Sequence, residues 1–78
     1  MDTVRIARWK AARSRFATGP GAAWNWRYDV FLPDGREVVA GAEMLSIARR
    51  VAKDAATRWS VTHAGVRPVV VEAWKEVE

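Results

Sequence analysis

From Trp24 to Leu32 the chain alternates. Trp24, Trp26, Tyr28, Val30 and Leu32 fall on one side of an extended segment, and Asn25, Arg27, Asp29 and Phe31 fall on the other. A period of two marks a strand with unlike faces. The run ends in Leu32-Pro33-Asp34-Gly35-Arg36, where Pro presets φ, Asp bonds back onto the turn and Gly takes up a positive φ. Residues 36–40 return as a partner strand, so 24–41 predicts a β-hairpin. Val38 and Ala40 join the face of Trp26, Tyr28 and Val30, and Val39 joins Phe31 on the other face.

The period then lengthens. Residues 43–61 predict a helix: from Glu43 to Ser60, nine apolar residues (Met44, Leu45, Ile47, Ala48, Val51, Ala52, Ala55, Ala56 and Trp59) take half of a helical wheel, interrupted only by Arg58. Glu43, Ser46, Arg49, Arg50, Lys53, Asp54 and Thr57 take the other half. That is a surface helix with one buried side. Ala48, Ala52 and Ala55 form a small-residue seam that leaves room for bulky rings on the strand beneath. His63-Ala64-Gly65 ends the helix. Residues 66–74, Val-Arg-Pro-Val-Val-Val-Glu-Ala-Trp, read as a third strand. Pro68 cannot donate to a ladder, so it belongs at the strand's start or on an edge.

The first twenty residues are harder to place. Val4 and Ile6 alternate, but Arg8 and Lys10 continue their side, which argues against a strand. With Ala and Arg abundant and no breaker before Gly19, residues 2–17 predict a helix docked through Trp9 and Phe16, which makes 1–20 a basic N-terminal helix or arm. Ala17 to Ala23, with Gly19, Pro20 and Gly21, is a loop.

These elements make residues 1–78 a small single α+β domain of order α-β-β-α-β. Its sheet is three-stranded and mostly antiparallel, in order 2-1-3, and the long amphipathic helix packs on one face. The third strand runs antiparallel to the first and parallel to the second, and a right-handed crossover carries it beside the first. The aromatic strand is then central. Trp26 and Tyr28 are expected in the core, while Trp24, at the strand's start, is open to either role.

Composition narrows the function. There is no Cys, so disulfides, Cys-ligated zinc and thiol chemistry are excluded. No segment has the length of a membrane span or the pattern of a secretory signal, which points to a cytoplasmic protein. Abundant Ala, Arg, Gly and Val suggest a high-GC bacterium or its phage. His63 is the single histidine, with no metal-ligand partner near it in the sequence, and the five Gly never form a phosphate-cradling loop. No metal site, cofactor, small-molecule substrate or catalytic residue is indicated, and the chain is not expected to be an enzyme.

Two binding features remain. Residues 1–20 hold five basic groups and one acid, which accounts for the whole net charge of +4. A basic segment on a neutral body suits a nucleic-acid-binding accessory protein. Arg5, Arg8, Trp9, Lys10, Arg13 and Arg15 would contact the nucleic acid, joined by Arg49, Arg50 and Lys53 from the long helix. Solvated cations on a docked helix are the equally weighted alternative. The second feature is the sheet face opposite the long helix, where Arg27, Phe31, Val39, Val70 and Trp74 are expected among charged neighbours. Aromatic and Arg residues rimmed by charge make a protein interface. The valine-rich third strand also invites strand addition. The leading expectation is a small binding protein whose partner is another protein, with a homodimer as the simplest case. The competing arrangement lays the first helix over that face and makes three layers.

Overall fold

Val4 and Ile6 are fully buried, and a spacing of two is a strand's spacing, not a helix's. A computed structural model describes residues 2–11 and 25–74. In it the N-terminal segment is strand β1 (Thr3–Ala11), followed by β2 (Asn25–Phe31), β3 (Glu37–Ala42), helix α1 (Leu45–Thr62) and β4 (Val69–Glu72). The expected N-terminal helix is therefore corrected to a strand. Thr3, Val4 and Ile6 are β-branched and lose least on a pleated surface. Arg8 and Lys10 do continue the side of Val4 and Ile6, but their cations lie over Trp rings, outside the dry interior.

The sheet has four strands in the order β3-β2-β1-β4, in place of the expected three in order 2-1-3. β1 lies antiparallel to β2 and parallel to β4, and β2 lies antiparallel to β3. The last strand thus runs in the expected direction, antiparallel to β2, but β1 occupies the place beside β2. A sequence reading that made residues 2–17 helical had no strand to insert there.

The hairpin turn forms as its residues require. Gly35 N donates to Leu32 O at 2.9 Å, Leu32 N to Arg36 O at 2.8 Å, and Gly35 has φ of 89°. Asp34 Oδ1 accepts the Arg36 backbone N–H at 2.9 Å.

Helix α1 lies on one face of the sheet through its alanine seam. Ala48, Ala52, Ala55 and Ala56 are buried, and three of them cluster with Val4, Ile6, Val30 and Ala42. The short seam lets the helix approach the aliphatic residues of β1 and β2 closely. The large rings stand at the margin of this core: Tyr28 and Trp74 are partly buried and pack against it, and Trp26 is half-buried beside them in the sheet. At the helix's far end Gly65 N donates to Ser60 O at 2.8 Å and Gly65 has φ of 76°, the expected glycine stop. Among the described residues no second helix covers the outer face, and no helix is long and apolar enough to cross a membrane.

Candidate functional site

Because β1 is a strand, its residues alternate between the two faces of the sheet. Arg8 pairs with Tyr28 and Lys10 with Trp26, on the helix side; Arg5 pairs with Phe31 and Trp9 with Arg27, on the outer side. The basic segment is thereby divided.

On the helix side, past the core, Arg8 sits 4.4 Å from the Trp26 ring centre and 5.0 Å from that of Trp74. The Lys10 ammonium lies 5.6 Å from the Trp26 ring. Tyr28 and Trp74 meet at 5.8 Å with planes tilted by 52°. Cations over ring faces are held by the ring quadrupole, at about 0.5–1 kcal/mol each where water has access.

On the outer side, Arg5 lies 4.6 Å over Phe31. Trp9 Nε1 donates to Asp29 Oδ1 at 3.2 Å, and the same oxygen accepts Gly41 N at 2.8 Å. Asp29 therefore ties β1 to β3 across β2. Trp9 nonetheless keeps 45% of its surface exposed, and Val69 and Val71 extend this face by their register with Thr3 and Arg5.

Of the five residues expected to share the outer face, Arg27 and Phe31 are there. Val39 is not: the register of β2 on β3 shifts between Tyr28 and Val30 and again between Val30 and Phe31, and the extra β3 residues turn Val39 onto the core. Trp74 follows the end of β4 and packs on Tyr28. Val70 pairs with buried Val4, on the helix side, and is 38% exposed. Of the residues expected on nucleic acid, Arg49 bonds to Glu72, whose carboxylate holds the guanidinium above its usual range. Arg50 and Lys53 are exposed on α1. Arg13, Arg15, Phe16 and Trp24 lie outside the described residues.

The two edges of the sheet differ. β3 carries the register shifts and Gly41 at φ of 73°, features that blunt an edge. β4 is regular, and Val69, Val70 and Val71 are 51%, 38% and 38% exposed. Val69 N donates to Asp2 O at 3.2 Å and Ala73 N to Ile6 O at 2.8 Å, so the odd-numbered residues aim at β1. By the same alternation Val70 aims its N–H and C=O away from β1, at the side of β4 where no strand lies among the described residues. The sequence carried this signal in its valine run. It carried none for the clamp on Arg8, which depends on β1 lying beside β2.

A cleft of about 280 Å³ lies between the β2–β3 hairpin and the end of α1, lined among others by Leu32, Val38, Val51, Trp59 and His63. His63 stacks on Trp59 at 3.7 Å, and its Nδ1 is 2.8 Å from Trp59 O. Asp54, also on this wall, is paired with Arg58 at 3.1 Å. The imidazole and the carboxylate are thus each engaged locally, and the walls are mainly apolar. Among the described residues no group of three His, Cys, Asp or Glu is placed to hold a metal ion. Compared with known protein families, curated proteins and solved structures, the chain matches none.

Proposed function

We propose that this chain is a non-enzymatic binding protein that adds a partner's strand to its β4 edge, the partner in the simplest case being a second copy of the chain. The observation that carries the reading is the contrast between the edges: β3 is bulged, while β4 is straight, valine-rich and aims the Val70 backbone outward. Strand addition draws its affinity from main-chain bonds and its specificity from alternate side chains. A two-fold axis through Val70 supplies both. It sets the N–H and C=O of Val70 against the same groups of the copy and lays Val69 across from Val71. The outer face, with Trp9, Arg5, Phe31 and Arg27, then continues across the junction as one surface for further contact.

Sedimentation velocity over a range of concentrations tests this, on the parent and on Val71→Lys. Val71 lies on the outer face, and a lysine on an edge strand opposes pairing. The parent is expected to pass from monomer to dimer as concentration rises, and the variant to stay monomeric with an unchanged circular dichroism spectrum. A parent that stays monomeric up to its solubility limit overturns the self-pairing form. A variant that dimerises as the parent does overturns β4 as the contact.

A further inference from the structure

The cations of the described residues fall into three sets: four in ion pairs, three lying over aromatic rings, and Arg50, Lys53 and Arg67, which are exposed and in neither arrangement. Arg36 pairs with Asp34 at 2.7 Å, Arg58 with Asp54 at 3.1 Å, Arg27 with Glu43 at 3.9 Å, and Arg49 with Glu72. Arg5, Arg8 and Lys10, all exposed and all on β1, have no carboxylate within ion-pair distance among the described residues. They lie over Phe31, Trp26 and Trp74 instead. A ring face positions a cation without cancelling its charge. A long flexible side chain held that way has already given up part of the freedom that binding would cost it.

We infer that the end of the β1–β2 ribbon carrying Arg8 and Lys10 is a binding site for the phosphate backbone of a nucleic acid. The two cations are two residues apart on one face, hence about 6.6 Å apart along the strand. Positive charge in a fixed row, without an ion-pair partner among the described residues, is what a polyanion recognises, by releasing its condensed counterions. A two-stranded β-ribbon also has the width that a major groove admits. An anionic membrane is the weaker fit. Arg5 and Arg27 on one side and Arg8 and Lys10 on the other leave the ribbon without a continuous apolar face to enter lipid. This site is separate from β4, and its test is independent of the dimer.

The experiment is fluorescence anisotropy of the full chain with labelled random-sequence duplex DNA, single-stranded DNA and RNA, each titrated at several salt concentrations. Vesicles containing anionic lipid are measured alongside. The variants are Lys10→Gln, Arg8→Gln/Lys10→Gln and Arg58→Gln, each checked for its fold by circular dichroism. Lys10→Gln removes charge and leaves Arg8 on its two rings, so it reports on binding even if the double variant fails to fold. The parent is expected to bind at least one of the nucleic acids at low salt with a steep log–log dependence on salt. Lys10→Gln should make that slope shallower by about 0.9 and the double variant by about 1.8 on duplex DNA, or about 0.7 and 1.4 on a single strand. The loss should be uniform across sequences, as phosphate contacts require, and Arg58→Gln should match the parent. Which nucleic acid binds best identifies the source of the phosphates. Three results each overturn the inference: no nucleic-acid binding at low salt, a slope unchanged by Lys10→Gln, or binding to anionic vesicles alone.

Discussion

Replacing Ile6 by Ala tests whether β1 is an inner strand. Ile6 has no exposed surface and clusters with Val4, Val30, Ala42, Ala48, Ala52 and Ala56. Truncating a buried Ile costs about 2–5 kcal/mol, depending on how far the surroundings collapse into the space. Here the facing helix offers alanines, whose single methyl groups cannot swing into a void, and β1 is held by ladders on both sides. The cost therefore lies high in that range, about 4 kcal/mol. A domain of 78 residues has a total stability of about 4–12 kcal/mol, so the variant is expected to lose a third or more of its stability and to approach unfolding at 25 °C. In a domain this small 1 kcal/mol moves Tm by about 4–8 °C. Ile6→Val should thus lower Tm by about that much, and Ile6→Ala by several times as much. Trp26→Ala makes the contrast. Trp26 is mostly covered but stands outside the core cluster, its ring lying under Arg8 and Lys10. Its truncation is therefore expected at the low end of the range for a buried aromatic, about 3 kcal/mol, less than the loss at Ile6 despite the larger residue. Thermal and urea unfolding followed by circular dichroism measure all three. If Ile6→Ala melted with the parent while Trp26→Ala collapsed, the aromatic stripe would be the centre of the core and the N-terminal strand peripheral, and the reasoning would fail.

Gly41→Ala should lower stability by about 1–2 kcal/mol through its positive φ alone, because a Cβ there meets only Trp9 Cζ2, at an ordinary 4.0 Å; a melting curve like the parent's would contradict the bulge geometry. The Asp34 carboxyl is held below its usual range, first by the Arg36 backbone N–H; desolvation opposes this, and the Arg36 side chain adds to the lowering. Since the folded pKa is the lower one, its stabilising contribution is fully present above the unfolded value near 3.9 and fades as pH falls through the folded pKa. Carboxyl NMR should therefore find Asp34 titrating below that value, and Arg36→Ala, which keeps the backbone N–H, should move it only part of the way back up; a parent midpoint at or above the unfolded value would refute the assignment.

The sequence made the hairpin and the helix legible because each satisfies a local rule. Pro33, Asp34 and Gly35 do in the turn what their chemistry requires, and the alanine seam of α1 is the buried side. What local patterning could not supply was the register and the neighbours. Val39 was expected beside Phe31 by simple alternation, and the irregular register of β3 on β2 reverses it. The N-terminal strand was concealed by Arg8 and Lys10, which read as charges pointing into a core. They are instead paired across the sheet with Tyr28 and Trp26, beyond the alanines, where the lower part of each side chain can lie along a ring while its charge stays in water. That pairing exists only once β1 lies beside β2, so no pattern within residues 2–17 could have revealed it. The same misplacement set the expected third strand, residues 66–74, beside the aromatic strand, in the place that β1 occupies.

Residue-resolved amide hydrogen exchange on β4, recorded at low and high protein concentration, tests the central claim most directly. The ladder to β1 protects Val69 and, by alternation, Val71, whereas the Val70 N–H faces the open edge. The account predicts that Val69 and Val71 are protected at every concentration, and that Val70 exchanges rapidly in dilute solution and slows as concentration rises and a second copy pairs with it. Val70 exchanging at one fast rate across a concentration range in which the chain dimerises would place the contact elsewhere and contradict the β4 edge as the binding surface.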